Sequence, residues 1–214
     1  MPNSSETMDE EKFLDFSNRA SIHSDIIYRT GCLLLMFSIT EKKLDEFSDQ
    51  IPWYDENDSR SSNKHRMKET GSIINGYNKN LRELTIIGLA KIFEDLIFDI
   101  QDKLKITIDF WKNCDDFSFY EEMKIIRHLN NCIKHNRGTI IKGSRSSNYL
   151  INRAGFSEYA DISDLNLDIE KIIMHSFTFQ MDMFWKIYEK ENRYLGIKDD
   201  FISIRKILIP EYIT

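Results

Sequence analysis

The run EEMKIIRHLNNCIKHNRG, residues 121–138, gathers Lys124, Arg127, His128, Asn131, Lys134, His135, Asn136 and Arg137 into one short segment. A guanidinium fork matches two phosphate oxygens, and an imidazole with an unperturbed pKa of about 6.5 exchanges protons at neutral pH. Together these groups suit chemistry on a phosphodiester, with cations to hold the phosphate and a His to move a proton. Placed on a helix at about 100 degrees per residue with Arg127 at zero, Asn131 falls at about 40, Lys124 at about 60, His135 at about 80 and His128 at about 100 degrees. Ile125, Leu129, Ile133 and Ile126 span about 160 to 260 degrees. The spacing therefore predicts a helix with one apolar face and one polar stripe. Gly138 stands where a left-handed C-cap belongs, and Ser118 with Glu121 three residues later has the form of a capping box. A solvated face with cations near the C-terminal end of the helix dipole also accounts for the charges. It does not account for two of the chain's five His on the same stripe.

The segment NNCIKHNRG resembles the end of the signature of the HEPN superfamily (higher eukaryotes and prokaryotes nucleotide-binding domains), all-α bundles whose active members are metal-independent ribonucleases. Their motif is an Arg, commonly followed by a polar residue such as Asn, and after a short spacer a His. Asn131, His135 and Asn136 fit that pattern; Asn130 stands where the Arg would, and the nearest upstream arginine, Arg127, leaves seven residues before His135. LRELTIIGLAKIFEDLI, 81–97, is similar to the apolar helix with an embedded acidic residue that precedes the motif in several HEPN groups. The resemblance covers residues 75–190 and implies a helical bundle that cuts single-stranded RNA by attack of the RNA's own 2'-hydroxyl, leaving a cyclic phosphate. It casts Arg127, Asn131 and His135 as catalytic, with Lys124, His128, Lys134, Asn136 and Arg137 as phosphate or RNA contacts. No metal or other cofactor is implied. A homodimer with a composite site is, and so is a toxin or phage-defence setting with an antitoxin or regulatory protein as partner. The competing reading is an inactive HEPN-like dimer that binds a protein or nucleotide.

Arg127 and His135 lie eight residues apart, roughly 12 Å along one helix axis. An antiparallel two-fold pairing of motif helices would bring Arg127 of one chain toward His135 of the other. The apolar residues of the last helix would join the two copies.

The elements that must position this segment are helical. With only 8 Gly and 3 Pro in 214 residues there are few breakers. We expect one helical domain over 1–214, an all-α bundle of four to five helices, with a flexible N-terminus over 1–10 and a helix over 11–51 interrupted near Thr30-Gly31. A polar loop over 52–72 follows, then a helix over 73–105 with Leu81, Leu84, Ile87, Ile92, Leu96 and Ile100 as its core stripe. GSRSSN reads as a turn, so residues 139–166 form a short hairpin or irregular excursion. The last helix, 167–191, is apolar on too many sides for a surface position and is either central or shared with another chain. The tail FISIRKILIPEYIT, 201–214, is apolar enough to dock.

A net charge of -6 argues against a broad nucleic-acid surface but leaves room for a local basic patch. Cys32, Cys114 and Cys132 have no metal or redox spacing and read as reduced, largely buried thiols. The polar, acidic start lacks a signal-peptide pattern, and GCLLLMF, 31–37, is far short of the roughly 20 residues of a membrane span. A cytoplasmic protein is expected. No Walker loop, GxGxxG or Ser/His/Asp arrangement is present. His23, His65 and His175 stand alone, and the carboxylates of DEEKFLDF and FEDLIFDIQD read as helix edges.

Overall fold

The computed structural model describes residues 4–189, with side-chain surroundings for residues 10–187. Among them are six α-helices and no strand: α1 Ser4–Gln50, α2 Arg60–Leu104, α3 Phe110–Asn113, α4 Tyr120–Asn136, α5 Arg145–Asn152 and α6 Ile169–Glu189. The all-α bundle expected from breaker scarcity is what the chain forms. No helix of the described residues is long and apolar enough to cross a membrane. The tail 201–214 and the side chain of Tyr188 lie outside the described residues.

Helices α1 and α2 form an antiparallel hairpin. Arg29 pairs with Asp95 at 2.6 Å, and Gly88 lets Leu33 approach so closely that a Cβ there would sit 3.1 Å from its Cδ1. The backbone is helical from Ser4. Two expectations change in this hairpin. Thr30 and Gly31 do not interrupt α1; both are buried within it, so tertiary packing overrides their poor propensity. The polar stretch 52–72 is a loop only as far as Ser59, whose hydroxyl accepts from the Ser62 N–H and caps α2. Asn63 then pins loop to helix, accepting from the Asp55 N–H at 2.9 Å and donating to the Asp55 carbonyl at 2.8 Å. In α2 the buried stripe runs through Ile86, Leu89, Phe93, Leu96 and Ile100, while Leu84 is 65% exposed.

The predicted capping box at Ser118 does not form. The Ser118 N–H donates instead to Asp182 Oδ2 at 2.8 Å, and Phe119, with φ of 61°, precedes the first helical residue without a side-chain cap bond. Glu121 and Glu122 suit the dipole at that end, as Lys134 and His135 do at the other. Helix α4 closes through Arg137 (φ 55°) and Gly138 (φ 80°), whose N–H donates to the Cys132 carbonyl. A Cβ on Gly138 would lie 2.3 Å from Glu83 Oε1. Glu83 lies beneath the cap beside Lys79, which itself binds Asp161. Gly138→Ala is therefore expected to lower stability by about 1–2 kcal/mol, the cost of a left-handed L-residue, with further loss from displacing Glu83. Chemical denaturation measures this; an unchanged midpoint would contradict the close approach.

Of the two forms expected for 139–166, the segment takes the irregular one, an excursion that contains the short helix α5. Ser144 accepts from the Ser147 N–H and starts a helix where GSRSSN suggests a turn. Antiparallel pairing survives only as a single bridge, Thr139 to Asp161. Helix α6 is the central element: Ile173, Phe177, Phe179, Met183 and Phe184 are buried, and Phe179 packs edge-on against Phe93 at 5.5 Å. Ile172, Met174, Met181, Trp185 and Ile187 of the same helix are half-buried.

Candidate phosphate-binding face

Residues 123–157 contain seven of the chain's 29 Lys and Arg and none of its 35 Asp and Glu. They form α4 beyond its first turn, its cap, α5 and the turn after it; Glu121 of that first turn binds Lys124 and Tyr149 at one end, and the remainder is a basic stretch of an acidic chain with no carboxylate of its own. Many exposed cations elsewhere have a carboxylate partner, as in Lys43 with Glu46, Lys91 with Asp95 and Lys112 with Asp109. Among the described residues, no carboxylate pairs with Lys134, His135, Arg137, Lys142 or Arg145, and all five are exposed. Unneutralised cations on a water-facing surface attract anions.

The eight residues picked from sequence divide into three groups. Lys134, His135 and Arg137 are exposed at the C-terminal end of α4, with Asn136 half-buried beside them. Lys124 is occupied: its ammonium binds Glu121 at 2.6 Å and lies over the rings of Tyr120 and Tyr149. Arg127, His128 and Asn131 are drawn toward α3 and α5. The Arg127 guanidinium sits over Phe110 at 4.7 Å, Trp111 at 5.5 Å and Phe93 at 5.7 Å, and burial pulls its pKa below the usual value.

His128, which the angular count sets on the polar stripe, is buried because α5 folds over it. Its ring stacks on Tyr149 at 4.2 Å, and Nδ1 lies 3.1 Å from Ser146 Oγ. Asn131 donates to the same Ser146 oxygen at 3.1 Å. With its oxygen accepting from Asn131, the Ser146 hydroxyl is free to donate to Nδ1, which fits a neutral imidazole. Burial, with Arg145, Arg127 and Lys124 nearby, pushes the His128 pKa down to about 4. His128 is therefore neutral at pH 7 and cannot serve there as an acid, which leaves His135 as the exposed imidazole of the motif helix.

The structure thus joins Asn131 and His128 through Ser146 but does not bring Arg127 to His135. Asn130, at the position of the motif arginine, is 3% exposed and its Oδ1 has no hydrogen-bond partner among the described residues. Comparisons with protein-family models, curated proteins and solved structures return no match. Ser146, Tyr149, Trp111 and Arg145 were not among the residues picked from sequence. The signal that finds three of them is the carboxylate-free run itself, which extends past α4 through Arg145, Ser146 and Tyr149.

No group of three or more His, Cys, Asp or Glu suited to a metal ion occurs among the described residues. Cys114 and Cys132 are buried, and burial raises the pKa of both thiols, Cys114 to about 12. Neither is poised as a nucleophile. A second polar concavity of about 430 Å³ is lined by Glu41, Asp45, Asn75, Asn78, Lys79 and Arg82. Its cations are already engaged, Lys79 with Asp161 and Arg82 with the Leu167 carbonyl. The basic face of α4 and α5 is the stronger anion site.

Proposed function

We propose that the chain is a metal-independent endoribonuclease of HEPN-like type acting on single-stranded RNA, with the basic face of α4 and α5 as its RNA-binding surface. The observation that carries the reading is the set of unpaired, exposed cations around an exposed His135 in a chain of net charge -6. In the proposed reaction the RNA 2'-oxygen forms a bond to the adjacent phosphorus as the bond from phosphorus to the 5'-oxygen breaks. His135, as base, accepts the proton of the 2'-hydroxyl, and water protonates the departing 5'-oxygen, leaving a cyclic phosphate and a 5'-hydroxyl. Lys134 and Arg137, its exposed neighbours, supply the charge that stabilises the crowded phosphorane. Residues 123–157 offer no carboxylate to hold a hard divalent cation, so this work falls to Lys and Arg. Arg127 acts from behind, holding the aromatic wall on which the face rests.

A homodimer belongs to the proposal, with α4 near the two-fold axis. It would join through half-buried apolar residues of α6 such as Ile172, Met181 and Trp185. A toxin or phage-defence role, with an antitoxin or regulatory partner in the cytoplasm, is the biological setting the resemblance suggests. The second reading, a silent HEPN-like bundle that binds a partner protein or nucleotide, is favoured by one observation: Arg127 is locked among Phe93, Phe110 and Trp111.

Binding separates the face from the chemistry. Anisotropy of a labelled single-stranded RNA at increasing salt is expected to give a log–log slope of about -0.7 per phosphate contacted. Lys134→Glu with Arg137→Glu should flatten that slope. RNA that stays free at low salt, or a slope indifferent to both substitutions, would remove the surface from consideration.

A further inference from the structure

We propose that Trp111, flanked by Arg145 and Arg127, is a stacking subsite for an unpaired nucleobase at the edge of the phosphate-binding face. The inference rests on the RNA reading above and specifies the substrate: a strand with exposed bases rather than a duplex. Trp111 lies on the four-residue helix α3, yet its side chain is among the exposed large apolar groups, at 43%. The Arg145 guanidinium stands 5.7 Å from its ring, Arg127 5.5 Å. On its inner side Phe110 meets it edge-on at 4.9 Å and His128 lies 5.6 Å away. His128 in turn stacks on Tyr149. Aromatic rings and cations alternate from α3 across α4 to α5.

Of these rings Trp111 is the exposed one, Phe110 and His128 being buried and Tyr149 half-buried, so it is the ring that can take the flat face of a base while exposed cations track the backbone. The local charge says which part of the strand belongs at Trp111. Asp109, Asp115 and Asp116 lie within a few residues of it, and Lys112 pairs with Asp109. A phosphate would be repelled there, whereas a neutral base would not. Arg145, on the first turn of α5, belongs to the carboxylate-free stretch and reaches the indole from it. Its guanidinium is free of any carboxylate among the described residues, so it can cover one side of a base while the indole takes the other.

The test compares a labelled oligoadenylate with an abasic ribose-phosphate strand of the same length, titrated against wild-type protein, Trp111→Ala and Trp111→Phe. Wild type should prefer the strand with bases by roughly 5- to 150-fold, the range for one stacked base. Trp111→Ala should bind both strands alike, at the wild-type affinity for the abasic one, while Trp111→Phe keeps most of the preference. Intrinsic fluorescence provides a readout independent of the alanine variant's folding: oligoadenylate should quench wild type more than it quenches Trp111→Phe. Equal binding of both strands by wild type, with equal quenching in the two proteins, overturns the stacking subsite and leaves the phosphate-binding face standing. If wild type binds neither strand, the face and the subsite fall together.

Discussion

His135→Ala should lower the rate of RNA cleavage by about 100- to 10,000-fold, the usual contribution of a proton-transfer group, with the fold unchanged. The side chain is exposed at the end of α4, and truncating an exposed helix residue shifts stability by no more than about 0.5 kcal/mol. Activity and folding therefore separate at this position. They do not separate at Arg127. From sequence, Arg127→Ala would be expected to leave the fold intact, but the guanidinium packs over three rings. Its removal should cost stability through lost cation–π and packing contacts, about 1–2 kcal/mol. Cleavage by His135→Ala at the wild-type rate would show that the chemistry lies elsewhere or belongs to a contaminant. Gel analysis of single-turnover reactions, with thermal unfolding run alongside, measures both quantities.

Acid should destabilise the fold through His128. Its folded pKa of about 4 lies below the ordinary 6.5, so between those values the unfolded chain binds a proton that the native chain refuses. Stability rises with pH across that window and falls as pH drops from about 6.5 toward 4. At about 1.4 kcal/mol per pH unit the loss approaches about 3 kcal/mol. The Ser146 hydroxyl and the Tyr149 ring enclose the imidazole, while Arg145, Arg127 and Lys124 oppose its charge. His128→Gln cannot gain a proton, so its unfolding midpoint should change much less between pH 6.5 and 4.5. Lowered carboxylates such as Glu121, held down chiefly by its hydrogen bond from Lys124, titrate in both proteins, so the difference between the two curves isolates His128. Parallel curves would mean that the imidazole is hydrated.

The class of fold was legible because few breakers and long apolar periods leave little choice but helices. What failed was local or long-range. Residues 60–72 are polar on every side, so no period distinguishes their helix from a loop; the capping by Ser59 and the anchoring by Asn63 do. The phase of α2 slipped at Leu84, which lies on the outer face although it repeats at helical spacing with Leu81. GSRSSN has turn composition, and the same Ser that favours a turn also caps a helix. At the candidate site, the split between the isoleucine face and the polar stripe predicts the placement of Asn131 and His135. It could not predict the burial of His128, because the covering residues, Ser146 and Tyr149, come from a helix beyond the C-cap. Nor could a single-helix count show that Arg127 turns toward Phe110, since that contact joins α4 to α3.

The most direct measurement of the central claim is incubation of the wild-type protein with end-labelled single-stranded RNA in EDTA, followed by analysis of the new ends. The account predicts fragments carrying a cyclic phosphate, formed without metal and abolished by His135→Ala. RNA that anisotropy shows to be bound, yet that stays whole in EDTA and in magnesium alike, would contradict it and identify the chain as a binding bundle.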